Sequence, residues 1–174
     1  MIGTSNEKKR VFIDMDGVLA EYRPEATDAD YEMAGYYLGL APRPAMLDAV
    51  KYLLGTGEAD VFVLSSVIGG IRDAAVAEKN AWLDRYLPQI DMEHRVFPLC
   101  GTSKAAALGG VGRGDVLCDD YSHNLEDWHR AGGSAIKIIN ECNGRKGSFN
   151  AGPRLVIDRK EQLAEAVRAI HFPC

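Results

Sequence analysis

Carboxylates dominate the residues of this chain that could do chemistry. Asp14-Met15-Asp16-Gly17-Val18 sets two of them two positions apart, and Asp119-Asp120 sets two more side by side. Between them lie the hydroxyl pair Ser65-Ser66 and the run Thr102-Ser103-Lys104. Carboxylates brought into one cleft repel, and their pKa values rise unless a cation joins them. An all-oxygen ligand set suits a hard ion such as Mg²⁺, which keeps several waters and takes one or two carboxylates plus a substrate phosphate. An aspartate in such a site can attack phosphorus and form an aspartyl-phosphate. A second carboxylate two residues on can protonate the leaving oxygen and then deprotonate water. Lysine and serine donors balance the charge spread over the phosphoryl oxygens.

Each piece alone has an ordinary explanation. A strand-ending Asp-Gly is a common turn, and an Asp-Asp pair is often a turn or a helix cap. An EF-hand is excluded, because Gly17 comes too early and no glutamate follows at the required spacing. What matters is whether the elements between these residues bring them together.

Apolar runs and helical patterns alternate along the chain. Arg10–Ile13, Val61–Leu64, Arg95–Phe97, Val116–Cys118 and Ala135–Ile139 read as buried strands. Helical spacing is predicted over Met46–Leu54, Asp73–Leu87, a short stretch from Thr102 or Ser103 to Leu108, and Asn124–Ala131. Asp158 with Glu161 resembles a capping box opening a last helix through Leu163, Ala166, Val167 and Ile170. Strands apolar on both faces, alternating with helices, predict an α/β fold with a parallel sheet covered on both sides. Ligands of such sheets sit at the carboxyl ends of the strands, near a topological switch point. Asp14-x-Asp16, Ser65-Ser66, Thr102-Ser103-Lys104 and Asp119-Asp120 follow the first four strands in turn, so they converge on one edge.

Composition narrows the class. A chain of 174 residues is one ordinary domain, and 47% hydrophobic with 26% charged residues is a globular average. A net charge of −5 disfavours a nucleic-acid polymer as partner. No apolar run suits a membrane span or the core of a signal peptide. Cys100, Cys118, Cys142 and Cys174 form no CxxC pair and read as reduced thiols of a cytoplasmic protein. His94, His123, His129 and His171 lack metal-ligand spacing, and Asn140–Gly152 reads only as a polar loop.

With these residues in order, the chain resembles the haloacid dehalogenase (HAD) superfamily of Mg²⁺-dependent phosphohydrolases. Its four motifs are met by Asp14-x-Asp16, Ser65, Lys104 and Asp119-Asp120. More closely it is similar to the 5'(3')-deoxyribonucleotidase family, over about Val11 to Ile139. The stretches that carry this are Asp14–Ala20, Tyr36–Pro44, Glu78–Tyr86 and Leu117–Tyr121. The resemblance implies a Rossmann-like HAD fold, with a core of 1–19 and 60–174 and a small helical cap, 20–59, inserted after the first strand. It implies hydrolysis of nucleoside, chiefly deoxynucleoside, 5'-monophosphates. The alternatives are another small phosphomonoester as substrate, or a nucleotide-binding protein of the same fold without turnover.

By the same resemblance Asp14 is the nucleophile and Asp16 the acid/base. Mg²⁺ is held by Asp14, the main-chain carbonyl of Asp16 and one of Asp119 and Asp120. Ser65, with Ser66 beside it, holds phosphate, and either Lys104 or Lys79 supplies the positive charge. Tyr22, Tyr36 and Tyr37, with Tyr31 near them, are candidates to face base or sugar. Packing of the cap onto the core is the competing role for each. Departures are Ser65-Ser66-Val67 where Thr-Ser-Pro is usual, Tyr22 for a common phenylalanine, and Tyr121 where arginine is frequent. They bear on substrate choice rather than chemistry. The expected partner is a small-molecule nucleotide, with no membrane and no nucleic-acid polymer, and a homodimer is left open.

Overall fold

The computed structural model describes residues 8–143 and 148–170; His171 and Cys174, named above, lie outside them. In chain order the elements are β1 (Lys9–Ile13), α1 (Asp28–Tyr31), α2 (Pro44–Thr56), β2 (Ala59–Leu64), α3 (Arg72–Tyr86), β3 (Arg95–Val96), α4 (Lys104–Ala107), β4 (Asp115–Asp119), α5 (Ser122–Arg130), β5 (Ser134–Ile138), β6 (Arg154–Leu155) and α6 (Gln162–Ala169).

Val11, Phe12 and Ile13 are buried on both sides of β1, so that strand has to lie inside a covered sheet. It takes the middle of a wholly parallel sheet of order β3-β2-β1-β4-β5-β6. The register sets Val11 beside Val61 and Val116, and Ile13 beside Val63 and Cys118. The chain runs outward from β1 through β2 to β3, then returns across β1 to β4. The carboxyl ends of β1 and β4 therefore flank the switch point, where loops part and leave a crevice.

Alternation along the strands sorts the core into two layers. Val11, Ile13, Val61, Val63 and Ile136 pack with the buried faces of α2, α3 and α6. Phe12, Leu117 and Ala135 pack with Ala105 of α4 and with Leu125 and Trp128 of α5. Phe12 stacks on Phe62 at 4.9 Å and meets Trp128 edge-on at 5.2 Å. Burying a side chain such as Phe12 is worth roughly 1.5–3 kcal/mol, so these layers carry the fold.

Three features differ from the sequence reading or add to it. β6, two residues paired with Lys137 and Ile138, is too short for periodicity to reveal. The capping box of Asp158 and Glu161 does not form: the side-chain carbonyl of Gln162 accepts from the N–H groups of Asp158 and Arg159 instead, at 2.9 and 3.2 Å. The expected cap, 20–59, divides. α2 packs on β2 and α6, and its Met46, Leu47, Ala49, Val50 and Leu53 join the main core. Residues 20–43 are entered and left through a neck in which Glu21 N–H donates to Ala41 and Arg43 N–H donates to Leu19, both at 2.8 Å, and Ala20, Tyr37 and Leu40 reach the main core. The physical reason is that a parallel β1–β2 pair needs a crossover helix, and α2 supplies it.

Candidate active site

The carboxyl end of β1 delivers Asp14 into the switch-point crevice. Its Oδ1 accepts from Met15 N–H at 2.8 Å and lies 3.1 Å from Lys104 Nζ. Asp119, at the end of β4, is fully buried, and both its oxygens are taken. Oδ1 accepts from Tyr121 N–H at 2.7 Å; Oδ2 accepts from Lys104 Nζ at 2.7 Å and Asn124 Nδ2 at 2.9 Å. Lys104 is thus clamped between two aspartates. Burial alone would lower its pKa, but the charges of Asp119 and Asp14 outweigh that and the net direction is up.

Asp120 is supported differently. Its Oδ2 accepts from Asn140 Nδ2 at 2.7 Å, and its main-chain carbonyl accepts from Lys137 Nζ at 3.0 Å and Asn143 Nδ2 at 3.1 Å. Gly17, at φ +80°, is required here, since a Cβ would collide with the Asp120 carboxylate. Burial, then the charges of Asp119 and Asp14, push the Asp120 carboxyl up to about 7. Asp119 is raised as well, by burial and by Asp14, with Lys104 opposing.

Asp14, Asp119 and Asp120 each offer an oxygen within 4.8 Å of the others. An all-carboxylate set that crowded is short of positive charge and fits a hard divalent cation. Of the two β4 aspartates, Asp120 lines the open cavity with Asp14, whereas Asp119 does not line it and has both oxygens engaged.

Asp16 lies across from this cluster. Its Oδ2 pairs with Lys79 Nζ at 2.5 Å, and Oδ1 is buried and meets no donor among the described residues. Burial raises its pKa, with Lys79 opposing and Asp14 reinforcing. Lys79 reaches in from the middle of α3, fully buried, and also donates to Ser65 Oγ at 2.9 Å and the Ser66 carbonyl at 3.1 Å. Both candidate lysines reach the site, Lys79 at Asp16 and Lys104 at Asp14 and Asp119.

Asp14, Asp16, Ser65, Ser66 and Asp120 line an open cavity of about 440 Å³, together with Tyr22, Tyr121 and Asn143. A second cavity of about 240 Å³ shares Asp16, Tyr22, Ser66 and Cys100 with it and is walled by Tyr31, Tyr36 and Tyr37. These rings meet edge-on, Tyr31 to Tyr36 and Tyr36 to Tyr37 at 5.0 Å each. Burial pushes the phenols of Tyr31, Tyr36 and Tyr37 up, so they stay neutral. Tyr37 is buried against the Lys79 ammonium, 4.9 Å from its ring centre; Tyr22 is exposed at the mouth. Cys100 touches both cavities, but burial raises its thiol, which keeps it protonated.

The residues chosen from sequence therefore do meet. Asn124, Asn140, Asn143 and Lys137 join them in the site. Asn140 stands just past the fifth strand, as Asp14, Ser65 and Asp120 stand just past theirs. Lys137 gives no such signal, because it sits inside an apolar run.

The structure is a Rossmann-like α/β fold of the HAD type, and its likeness to solved members is extensive. D,D-heptose 1,7-bisphosphate phosphatase from B. bronchiseptica, complexed with magnesium and phosphate, superposes with a TM-score of 0.64 at 16% identity, over 90% of this chain and 98% of that one. A HAD family hydrolase from Deinococcus radiodurans R1, with bound phosphate and sodium, gives 0.61 at 13% identity, over 96% and 99%. A family profile described as 5' nucleotidase, deoxy (pyrimidine), cytosolic type C protein matches residues 23–146. The human 5'(3')-deoxyribonucleotidase, cytosolic type, is 26% identical and aligns over 64% of this chain and 70% of its own. The fold is that of the HAD-type α/β proteins. Within that class the chain belongs to the cytosolic type C 5'-nucleotidase family, and it is a phosphoric monoester hydrolase of the 5'-nucleotidase kind.

Proposed function

We propose that the protein hydrolyses deoxynucleoside 5'-monophosphates by a Mg²⁺-dependent, two-step reaction on Asp14. The observation that carries this reading is the aromatic cavity that shares Asp16, Tyr22, Ser66 and Cys100 with the carboxylate cavity. None of its lining residues is lysine or arginine, so it suits a neutral base and sugar rather than a second phosphate.

Asp14 and Asp120, with the Asp16 carbonyl that the family resemblance implies, would hold the cation, while Asp119 holds Lys104 in place. When bound, Mg²⁺ would neutralise phosphoryl oxygens and screen the phosphate from the carboxylates. Met15 N–H and Lys104 fix Asp14 through Oδ1, which leaves Oδ2 to attack phosphorus. As the P–O5' bond breaks, Asp16 gives its proton to the leaving oxygen, a task that suits a carboxyl raised by burial. Asp16 then takes a proton from the water that attacks the aspartyl-phosphate, and phosphate and free Asp14 are released. Ser65, Ser66 and Lys79 would hold the phosphoryl oxygens throughout. A cytoplasmic place of action belongs to this reading, as the human relative is of the cytosolic type.

The test is phosphate release from a panel of deoxy- and ribonucleoside monophosphates and sugar phosphates, with Mg²⁺ and with EDTA. Metal-dependent release confined to nucleotides is expected. Release from sugar phosphates alone discards the substrate class, and saturable nucleotide binding without release discards the enzyme.

A further inference from the structure

We propose that Glu78 is the positioning residue that fixes the aromatic wall of the nucleoside cavity over the phosphate site. This rests on the nucleotidase reading and extends it to specificity. The cap segment 33–40 is a chain of turns with no strand partner. Within it, the N–H groups of Tyr36, Gly39 and Leu40 are satisfied locally, by the carbonyls of Met33, Gly35 and Tyr37. The N–H groups of Gly35, Tyr37 and Leu38 all turn to one carboxylate on α3. Glu78 Oε1 accepts from Gly35 at 2.6 Å, and Oε2 accepts from Tyr37 at 2.9 Å and Leu38 at 3.4 Å. Gly35 sits at φ +86°, left-handed backbone in which a side chain would be strained. Bonds from backbone N–H to an ionised acceptor are among the stronger ones a surface offers.

The neighbours of Glu78 on the helix give the contact its consequence. Lys79 holds Asp16, Ser65 and the Ser66 carbonyl, and its ammonium lies 4.9 Å from the Tyr37 ring centre. One turn on, Trp82 Nε1 donates to the Leu40 carbonyl at 2.8 Å. A single rigid helix therefore grips the cap at both ends of Gly35–Leu40 and holds the phosphate-side hydroxyl between them. The spacing between base wall and phosphate site is set by α3 rather than by the narrow neck at Leu19–Arg43. Trp82 is a core side chain; Glu78 is the grip that can be removed without opening the core.

The experiment compares wild type, Glu78→Gln and Glu78→Ala for KM and kcat on deoxynucleoside monophosphates and for inhibition by inorganic phosphate, which needs only the phosphate end. Thermal denaturation of each variant accompanies the kinetics. For Glu78→Ala, nucleotide KM is expected to rise about tenfold with kcat within about threefold and the phosphate inhibition constant within about twofold. Glu78→Gln, which keeps one acceptor oxygen but turns an amide N–H₂ toward the donors, should fall between. A nucleotide KM unchanged in Glu78→Ala overturns the inference, as does equal weakening of nucleotide and phosphate, which would mark a general loss of structure. If wild type releases no phosphate from any nucleotide, the nucleotidase reading itself falls and the inference falls with it.

Discussion

The carboxylate cluster and the cap are built to different standards of rigidity. Asp14 follows the central strand β1 and Asp119 ends β4, and their immediate supports are a buried lysine, main-chain N–H groups and Asn124. The cap hangs on a neck of two hydrogen bonds, holds one turn of helix, and leaves Tyr22, Met33 and Leu38 exposed. The difference follows from what each must do in the proposed reaction. In-line attack on phosphorus tolerates little misplacement, so reacting groups belong on elements that share the core's cooperativity. A base and sugar are recognised by area and stacking, which turns can provide when fastened at a few points.

That contrast can be broken, and the sharpest cut is Asp14→Asn. Loss of the proposed nucleophile should reduce phosphate release by about 10⁴-fold or more while leaving nucleotide binding within a few-fold. Residual turnover within tenfold of wild type would place the nucleophile elsewhere. Lys104→Ala comes next. It strands the buried charges of Asp119 and Asp14, so unfolding free energy in urea should fall by about 3–5 kcal/mol, with activity lost as well. A cap substitution with an equal stability cost would erase the proposed difference between the regions.

Asn140→Ala probes the support of the cluster rather than its charges. It removes the bond to Asp120 and the one to the Gly17 carbonyl, so the Mg²⁺ concentration for half-maximal activity should rise about 10- to 100-fold. Mg²⁺ binding by calorimetry should weaken in step. On the cap side, Tyr36→Ala should raise nucleotide KM about tenfold while inhibition by inorganic phosphate barely moves. Equal changes in both would mean that Tyr36 serves the whole site rather than the nucleoside end.

The smallest effect lies far from both regions. His94 bridges Asp91 at 2.6 Å and Asp60 at 3.0 Å, and the Asp91 bond, followed by the Asp60 charge, raises its pKa against burial. A raised folded-state pKa contributes stability that is complete below the unfolded value near 6.5 and is lost as pH rises through the folded value. Wild type should therefore lose up to about 1 kcal/mol relative to His94→Gln between about pH 6 and 8. Parallel denaturation curves for the two proteins across that range would show that the bridge contributes nothing.

Patterning along the chain was enough for the α/β class, the parallel sheet, and the meeting of Asp14, Asp16, Ser65, Lys104, Asp119 and Asp120. The reason is that a doubly covered parallel strand is a short apolar run, and the residue following it must emerge at one known edge. Tertiary structure alone decided what local pattern does not encode. Lys79 lies mid-helix, and only the packing of α3 shows that its ammonium is buried at Asp16 rather than in water. α2, inside the stretch expected as cap, packs on β2, which follows it directly, and on α6, more than a hundred residues further along the chain. The adjacent aspartates of β4 look alike in sequence. They part because one is sealed by Lys104, Asn124 and Tyr121, while the other faces the cavity beside Gly17. Alternation of apolar residues is a property of one strand; which carboxylate meets a cation or a lysine depends on what the neighbouring strands and loops bring to it.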